Sequence, residues 1–474
     1  MRIGGAAGPL AAPARFRHAA GMSDHPNAVD LAAAIADGAT TARDTIAAAL
    51  ERAHAAQARL NCFVHILDRQ ALAAAEAADR RQCRGAPLPP LHGVPVAIKD
   101  LTPVQGVPTG LGSWTADPAP AGQSALIVRR LEAAGAIVIG TTTTPEFAHA
   151  GITRSPRHGV TGNPWNPERT PGGSSGGAAA AVAAGVVPFA EGTDMGGSVR
   201  IPAALCGIVG LKPSLGRIPM TLLPSVFDNL SHFGPLAGCV GDAVAFMRAT
   251  AGPDEADPFS LPLSFDAARA ATPDVAGRRF AICVDLGGFA VEPGVAAAVR
   301  AAAAALESQG AAVEEVRLPW GPAVCEEWNK LWAVFMAAYF GERLAAHRAR
   351  MDPAVVGLIE WGNRLSAVEI KRVELLRTRM WQELSAVLER HDALLCATCT
   401  GPAGPADPQE RHGTTTLTEP FNLLPFCPVA SVPVGLVEGL PAGMQIVGRR
   451  HEDEAVLAYA GAVERILGRL TPPA

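Results

Sequence analysis

Aromatic residues are scarce in this chain. Tyrosine occurs twice, and Phe, Trp and Tyr together make up 5% of the 474 residues. An excess of positive charge is also missing. Forty Lys and Arg stand against 45 Asp and Glu, a formal net charge of −5, which argues against a nucleic-acid surface as the main purpose. No run reaches the ~18–20 apolar residues that a membrane-spanning helix requires, so no membrane partner is expected. Paired cysteines are missing too: nine is an odd number, and they are scattered. They read as small buried hydrophobes in a reducing compartment, not as a disulfide framework. Cys396 and Cys399 have C-x-x-C spacing, but they end a strand-like apolar run, whereas a redox motif opens a helix. The first 21 residues lack the unbroken apolar segment of a signal peptide. Residues 1–22 therefore read as a disordered tail, with Met22 as an alternative start and the cytoplasm as the default location.

Glycine and proline are plentiful, at 49 and 40 residues, and the chain is 49% hydrophobic and 18% charged. That composition is globular. The length exceeds one ordinary domain, although a large α/β enzyme can hold it around one sheet.

Helix and strand signals alternate along the chain. Residues 28–58 read as two helices, the second opened by Thr41-Ala42-Arg43-Asp44, and a third helix spans 68–81. A short apolar strand at 94–98 ends at Lys99. Ser124 is expected to cap a helix to 134, followed by a buried strand at 136–140. Residues 153–171 read as a proline-broken loop. An Ala/Val helix at 178–184 must be buried, since no face of it is polar. A strand at 186–190 and a short helix ending at 206 follow. Further helices are expected at 242–251, 293–308, 324–345, 366–390 and 452–467. Further strands are expected at 279–284, 312–318, 393–396, 430–433 and 443–447, and 252–277 reads as a surface connection. Such alternation marks an α/β fold whose sheet is covered on both faces.

The chemistry concentrates between Pro171 and Pro202. Two glycine-flanked serine turns, Gly172-Gly173-Ser174-Ser175-Gly176-Gly177 and Gly196-Gly197-Ser198, bracket the Ala/Val helix. Glycine lets backbone N–H groups approach a ligand with no Cβ in the way. A serine is a weak nucleophile without a base, while Met195-Gly196-Gly197-Ser198 offers successive N–H groups that can hold an oxyanion. By itself Ser198 could equally be a helix cap. Gly172-x-Ser174-x-Gly176 also matches a nucleophile elbow, which would need a downstream histidine (His232, His347, His391, His412 and His451 are available), but the strand preceding an elbow is missing. Lys99 follows an apolar strand, and burial there would lower its proton affinity and make it a base. Alone it could be a strand-end lysine reaching solvent.

Taken together, Lys99-Asp100, GGSSGG (172–177) and GTDMGGSVRIP (192–202) resemble the amidase signature family of serine hydrolases. The resemblance extends over LHGVPVAIKD (91–100), GNPWNP (162–167), GIVGLKP (207–213), GPLA (234–237), FNL (421–423) and GMQIVG (443–448), and so covers most of the chain. It implies a single compact α/β/α domain over 23–474 built on a large mixed central sheet. The catalytic core would occupy about 90–250, and a variable substrate-shaping part about 252–425. It implies a Ser–cis-Ser–Lys mechanism: Ser198 attacks, Ser174 follows a cis peptide bond and carries the proton, and Lys99 is the base. The backbone of Met195, Gly196, Gly197 and Ser198 would form the oxyanion hole. Ser175 would support Lys99, and Asp194 and Arg200 would hold the loop as a pair. No metal and no cofactor is implied.

One departure from the family pattern stands out, and so does one local enrichment. Many members read GKTNxPEF where this chain reads GTTTTPEF (140–147), so Thr143 and Thr144 are expected at the substrate entrance. Seven aromatic residues cluster in 320–361, and Trp328, Trp332, Phe335 and Tyr339 share a helical face. That face either packs the helix onto the sheet or walls a substrate pocket, with Trp328 and Trp332 as lining residues. The expected partner is a small-molecule amide or carbamate; a homodimer is an open expectation. Two rival readings are the glutaminase component of a tRNA-dependent amidotransferase complex and an α/β-hydrolase-type esterase using Ser174.

Overall fold

The computed structural model describes residues 27–407 and 416–473; the tail expected at 1–22 lies outside them. Its strands are β1 (Phe63–Ile66), β2 (Pro95–Lys99), β3 (Ile137–Thr142), β4 (Arg154–Ser155), β5 (Gly159–Val160), β6 (Phe189–Asp194), β7 (Val209–Lys212), β8 (His232–Ala237), β9 (Arg279–Ile282), β10 (Ala312–Glu315), β11 (Ala393–Ala397), β12 (Val429–Val437) and β13 (Leu440–Gly448). β4 and β5 form a small hairpin. The other strands form one sheet of 11, in the order β1-β3-β2-β6-β8-β7-β12-β13-β11-β9-β10. β2 runs parallel to β3 and β6, whereas β8 is antiparallel to β6 and β7. The sheet is therefore mixed.

Strand alternation divides the interior into two layers. Val96 and Ile98 of β2 join a core with Ile127, Val128 and Leu131 of the helix Leu126–Ala133. Ala97, between them, joins a second core with Ile46 and Leu50 of the helix Ala42–Leu60 and with Ala178–Ala181 of the helix Gly176–Ala183. Helices thus cover both faces, and all eight residues of Gly176–Ala183 are buried. No helix of the described residues is long and apolar enough to cross a membrane.

Several boundaries differ from the sequence reading. Thr41 does cap its helix through the Asp44 N–H. Ser124 caps nothing: its hydroxyl accepts from the Gln105 N–H, and the helix begins at Leu126 without a side-chain cap. The strand expected at 186–190 lies at Phe189–Asp194, because Pro188 delays it. The strand expected at 312–318 stops at Glu315. The helix expected at 324–345 runs Pro322–Phe340 and breaks at Gly341, and a further helix, Pro353–Gly362, packs on it. The loop 153–171 contains the β4–β5 hairpin.

Candidate active site

Three segments meet at the ends of β2 and β6. β2 delivers Lys99, whose side chain is fully buried. Its Nζ donates to Ser174 Oγ at 2.6 Å and to Thr193 Oγ1 at 2.9 Å. Ser174 follows a cis peptide bond from Gly173 and sits two residues before the buried helix Gly176–Ala183. Ser198 lies in the loop after β6, and its carbonyl accepts the Ser175 N–H at 3.2 Å, which joins the two glycine-flanked turns directly. Burial pushes the Lys99 ammonium down to about 7; the carboxylates of Glu191 and Asp194 oppose that effect only in part. Losing the proton is therefore far easier for this lysine than for one in water.

The loop carrying Ser198 is held from below. Arg200 Nη2 and Nε meet the two oxygens of Asp194 at 2.9 and 3.0 Å, with neither side chain exposed. Arg200 also donates to Gln445 Oε1 at 2.8 Å, Asn422 Oδ1 at 2.6 Å and the Thr418 carbonyl at 3.0 Å. Burial alone would raise the Asp194 carboxyl. Arg200 and the Asn422 amide overcome it and hold the group well below the carboxylate range. The Gly197 N–H is already donated to Asp194 Oδ1 at 2.9 Å, so it leaves the set expected to face an oxyanion. The loop's carbonyls are also tied: Met195 accepts from Trp328 Nε1 at 2.9 Å and Gly196 from Thr418 Oγ1 at 2.6 Å.

Ser198 opens onto a cavity of about 530 Å³ that is also lined by Met195, Ile152, Ile201, Trp328 and Trp332. Trp328 and Trp332 stack at 5.8 Å. Its polar lining includes Glu419, whose two oxygens each accept from Thr416 Oγ1 at 2.9 Å, and the facing pair His149 and Asp352.

The amidase family model matches residues 44–457. An acylamidase of Rhodococcus erythropolis is 36% identical over 93% of this chain and 95% of its own length. A glutamyl-tRNA(Gln) amidotransferase component of Chloroflexus aggregans is 37% identical over 91% and 94%. A solved bacterial aryl acylamidase of the amidase signature family superposes with a TM-score of 0.88 at 30% identity, covering 93% of this chain and 96% of that one. The chain belongs to the amidase family. It is a hydrolase acting on the carbon–nitrogen bonds of amides.

The structure sorts the residues singled out for this amidase. Lys99, Ser174 and the Ser198 loop come together, and Asp194 and Arg200 pair beneath them. Ser175 does not touch Lys99. Its hydroxyl donates to the Thr193 carbonyl at 3.3 Å, so it reaches the lysine only through Thr193. Thr143 and Thr144 do not line the cavity. The Thr143 hydroxyl is engaged with Thr161 Oγ1 at 2.7 Å and with the Cys62 carbonyl, and both threonines are buried beyond β3. They are packing positions: Gly177 closes against Thr143, and Gly112 against the Thr144 carbonyl. The aromatic face divides: Trp328 and Trp332 wall the cavity, while Phe335 stacks on Trp332 at 5.0 Å and meets Tyr339 edge-on at 4.4 Å, away from the cavity. Ser174 bonds to Lys99, not to a histidine. Of the histidines available for an elbow, His232 is buried against main-chain carbonyls and pushed down to about 3 by burial, then by Lys212. Cys396 and Cys399 are buried free thiols, raised by burial. Thr193, Glu191 and Glu419 escape sequence reasoning. Glu191 has one signal, a carboxylate directly after the apolar start of a strand.

Proposed function

We propose that this amidase forms an acyl-enzyme on Ser198 through a Ser198–Ser174–Lys99 relay. Neutral Lys99 takes the proton of Ser174 as Ser174 takes that of Ser198, and Ser198 Oγ attacks the substrate carbonyl carbon. The N–H groups of Gly196 and Ser198 stabilise the oxyanion. Ser174 then returns the proton to the leaving nitrogen, the C–N bond breaks, and water releases the acid by the same relay. The observation that carries this reading is the 2.6 Å Lys99–Ser174 contact at a fully buried lysine, beside a loop whose serine opens onto the cavity. The tryptophan pair on one wall favours amides with a compact apolar or aromatic group.

The matching amidotransferase component supports a second reading, release of ammonia from glutamine for a partner protein. Purified protein and its Ser198→Ala variant, assayed side by side on aliphatic amides, anilides, carbamates, esters and glutamine, separate the two. Hydrolysis of anilides or aliphatic amides, abolished by Ser198→Ala, supports the amidohydrolase. Turnover of glutamine alone moves the assignment to the amidotransferase. Unchanged activity in Ser198→Ala overturns the relay.

A further inference from the structure

Two buried carboxylates of this fold have cationic partners, Asp194 with Arg200 and Asp453 with Arg217, whereas Glu146, Asp242 and Asp257 are held by hydrogen bonds without an ion pair among the described residues. Glu191 is of the second kind. It is fully buried on β6, and among the described residues no cation forms an ion pair with it. One oxygen accepts the main-chain N–H of Lys99 at 2.9 Å, and the other accepts the Thr102 hydroxyl at 3.1 Å. The placement follows from the sheet. β2 and β6 pair at Val96↔Phe189 and Ala97↔Ala190, and the ladder stops there. Where the next main-chain partner of the Lys99 N–H would stand, the Glu191 side chain takes over. Thr102 N–H returns to the Lys99 carbonyl at 2.9 Å, so Glu191 clamps both ends of the turn that presents the lysine.

The other charges near Lys99 lie on several elements. Asp194, from β6, is matched by Arg200 and has Lys212 of β7 and His232 of β8 beyond it. Asp100, on the lysine's own turn, accepts the Gly110 N–H and senses Arg157. Ser174 and Thr193 contribute hydroxyls. Glu191 is left as the carboxyl group that holds the Lys99 main chain; burial pushes it up to about 7, opposed by the Lys99 N–H and the Lys99 ammonium.

We propose that Glu191 is a positioning residue for the relay: its carboxyl group fixes the Lys99 turn and, in its ionised form, keeps the proton affinity of Lys99 high enough for it to act as a base. This rests on the Ser198–Ser174–Lys99 reading. A lysine desolvated without such a neighbour becomes a poor proton acceptor. Glu191→Gln tests the charge alone, because the amide oxygen can still accept the Lys99 N–H.

The readout is the second-order rate of Ser198 phosphonylation by a fluorophosphonate probe, which needs no knowledge of the substrate. In wild type this rate rises with pH as Lys99 loses its proton. Removing the carboxylate makes that proton easier to lose. Glu191→Gln should therefore move the acid limb down by about one pH unit or more, roughly a tenfold change in the equilibrium, and lower the plateau. A limb that stays in place, with or without a smaller active fraction, overturns the proposal and leaves Glu191 a structural clamp. If Glu191→Gln does not fold, the reciprocal measurement applies: coupling is mutual, so the Glu191 carboxyl, followed by infrared or carbon NMR titration, must titrate at higher pH in Lys99→Met than in wild type. Equal titration overturns the proposal. Wild type failing to react with the probe at Ser198 would instead overturn the relay itself.

Discussion

At the scale of single residues, the role proposed for Lys99 comes at the expense of the fold. Its folded-state proton affinity is about 7 against an unfolded value of 10.5. Between those two pH values the unfolded chain binds the extra proton, so this lysine weakens the fold at neutral pH and the penalty fades as pH rises through that window. Lys99→Met should therefore raise the thermal midpoint at pH 7, with a smaller gain at pH 10, while the rate of Ser198 acylation falls by ~10²–10⁴, the range of a lost general base. Calorimetry and probe labelling at the two pH values check both halves; equal midpoints at both would contradict the burial argument. Ser174→Ala should lose activity over the same range without the stability gain, because it removes a hydroxyl and no buried cation. The family resemblance of their motifs makes Lys99, Ser174 and Ser198 readable in the chain, where each alone has a bland alternative. Thr193 and Glu191 are not, because a hydroxyl and a carboxylate within a strand announce no role until the lysine they face is placed.

At the scale of elements, the helix Gly176–Ala183 is a spacer whose fit depends on missing Cβ atoms. A Cβ on Gly177 would lie 2.5 Å from the main-chain nitrogen of Thr143, and one on Gly196 would lie 2.5 Å from the Trp328 ring. The first obstacle is backbone directly after β3, whereas the second is a side chain at the cavity wall. Gly177→Ala should thus cost at least the ~1–3 kcal/mol of overpacking and reduce kcat by displacing Ser174. Gly196→Ala should change stability less and KM more, since the Trp328 ring and its bond to Met195 must move. Urea unfolding with steady-state kinetics on one amide reads both, and an inverted pattern would refute this assignment of contacts. The Ala/Val helix is legible because all-round apolarity admits only a buried site. β8 is not: Pro235 lies within it, opposite Glu191, and proline argues against a strand flanked on both sides. β6 reads short for a related reason. Its polar end, Glu191–Thr193–Asp194, breaks the apolar pattern because those residues serve the site.

At the scale of the whole molecule, Arg200 fastens distant parts of the chain at one point. Asp194 comes from β6, Gln445 from β13, and Asn422 and Thr418 from the segment between β11 and β12. The sheet order sets β6 and β13 four positions apart, and the Arg200 guanidinium bridges that gap directly behind the Ser198 loop. Replacing it by Leu leaves the Asp194 carboxylate buried without a cation, which costs ~3–5 kcal/mol. Asp194→Asn in the same background removes that charge, so the double variant should recover part of the loss. The sign follows from burial: the orphaned anion is the expensive species, and the amide can still accept the Gly197 N–H. Activity should not recover in parallel, because Gln445 and Asn422 still lack the guanidinium that ties the C-terminal strands to the loop. Guanidinium unfolding and probe labelling of wild type, Arg200→Leu, Asp194→Asn and the double variant form a cycle that separates the terms. Additive stability losses would show that the pair is not coupled. Recovery of labelling together with stability would show that the loop's position depends on charge balance alone and not on the bridge across the sheet.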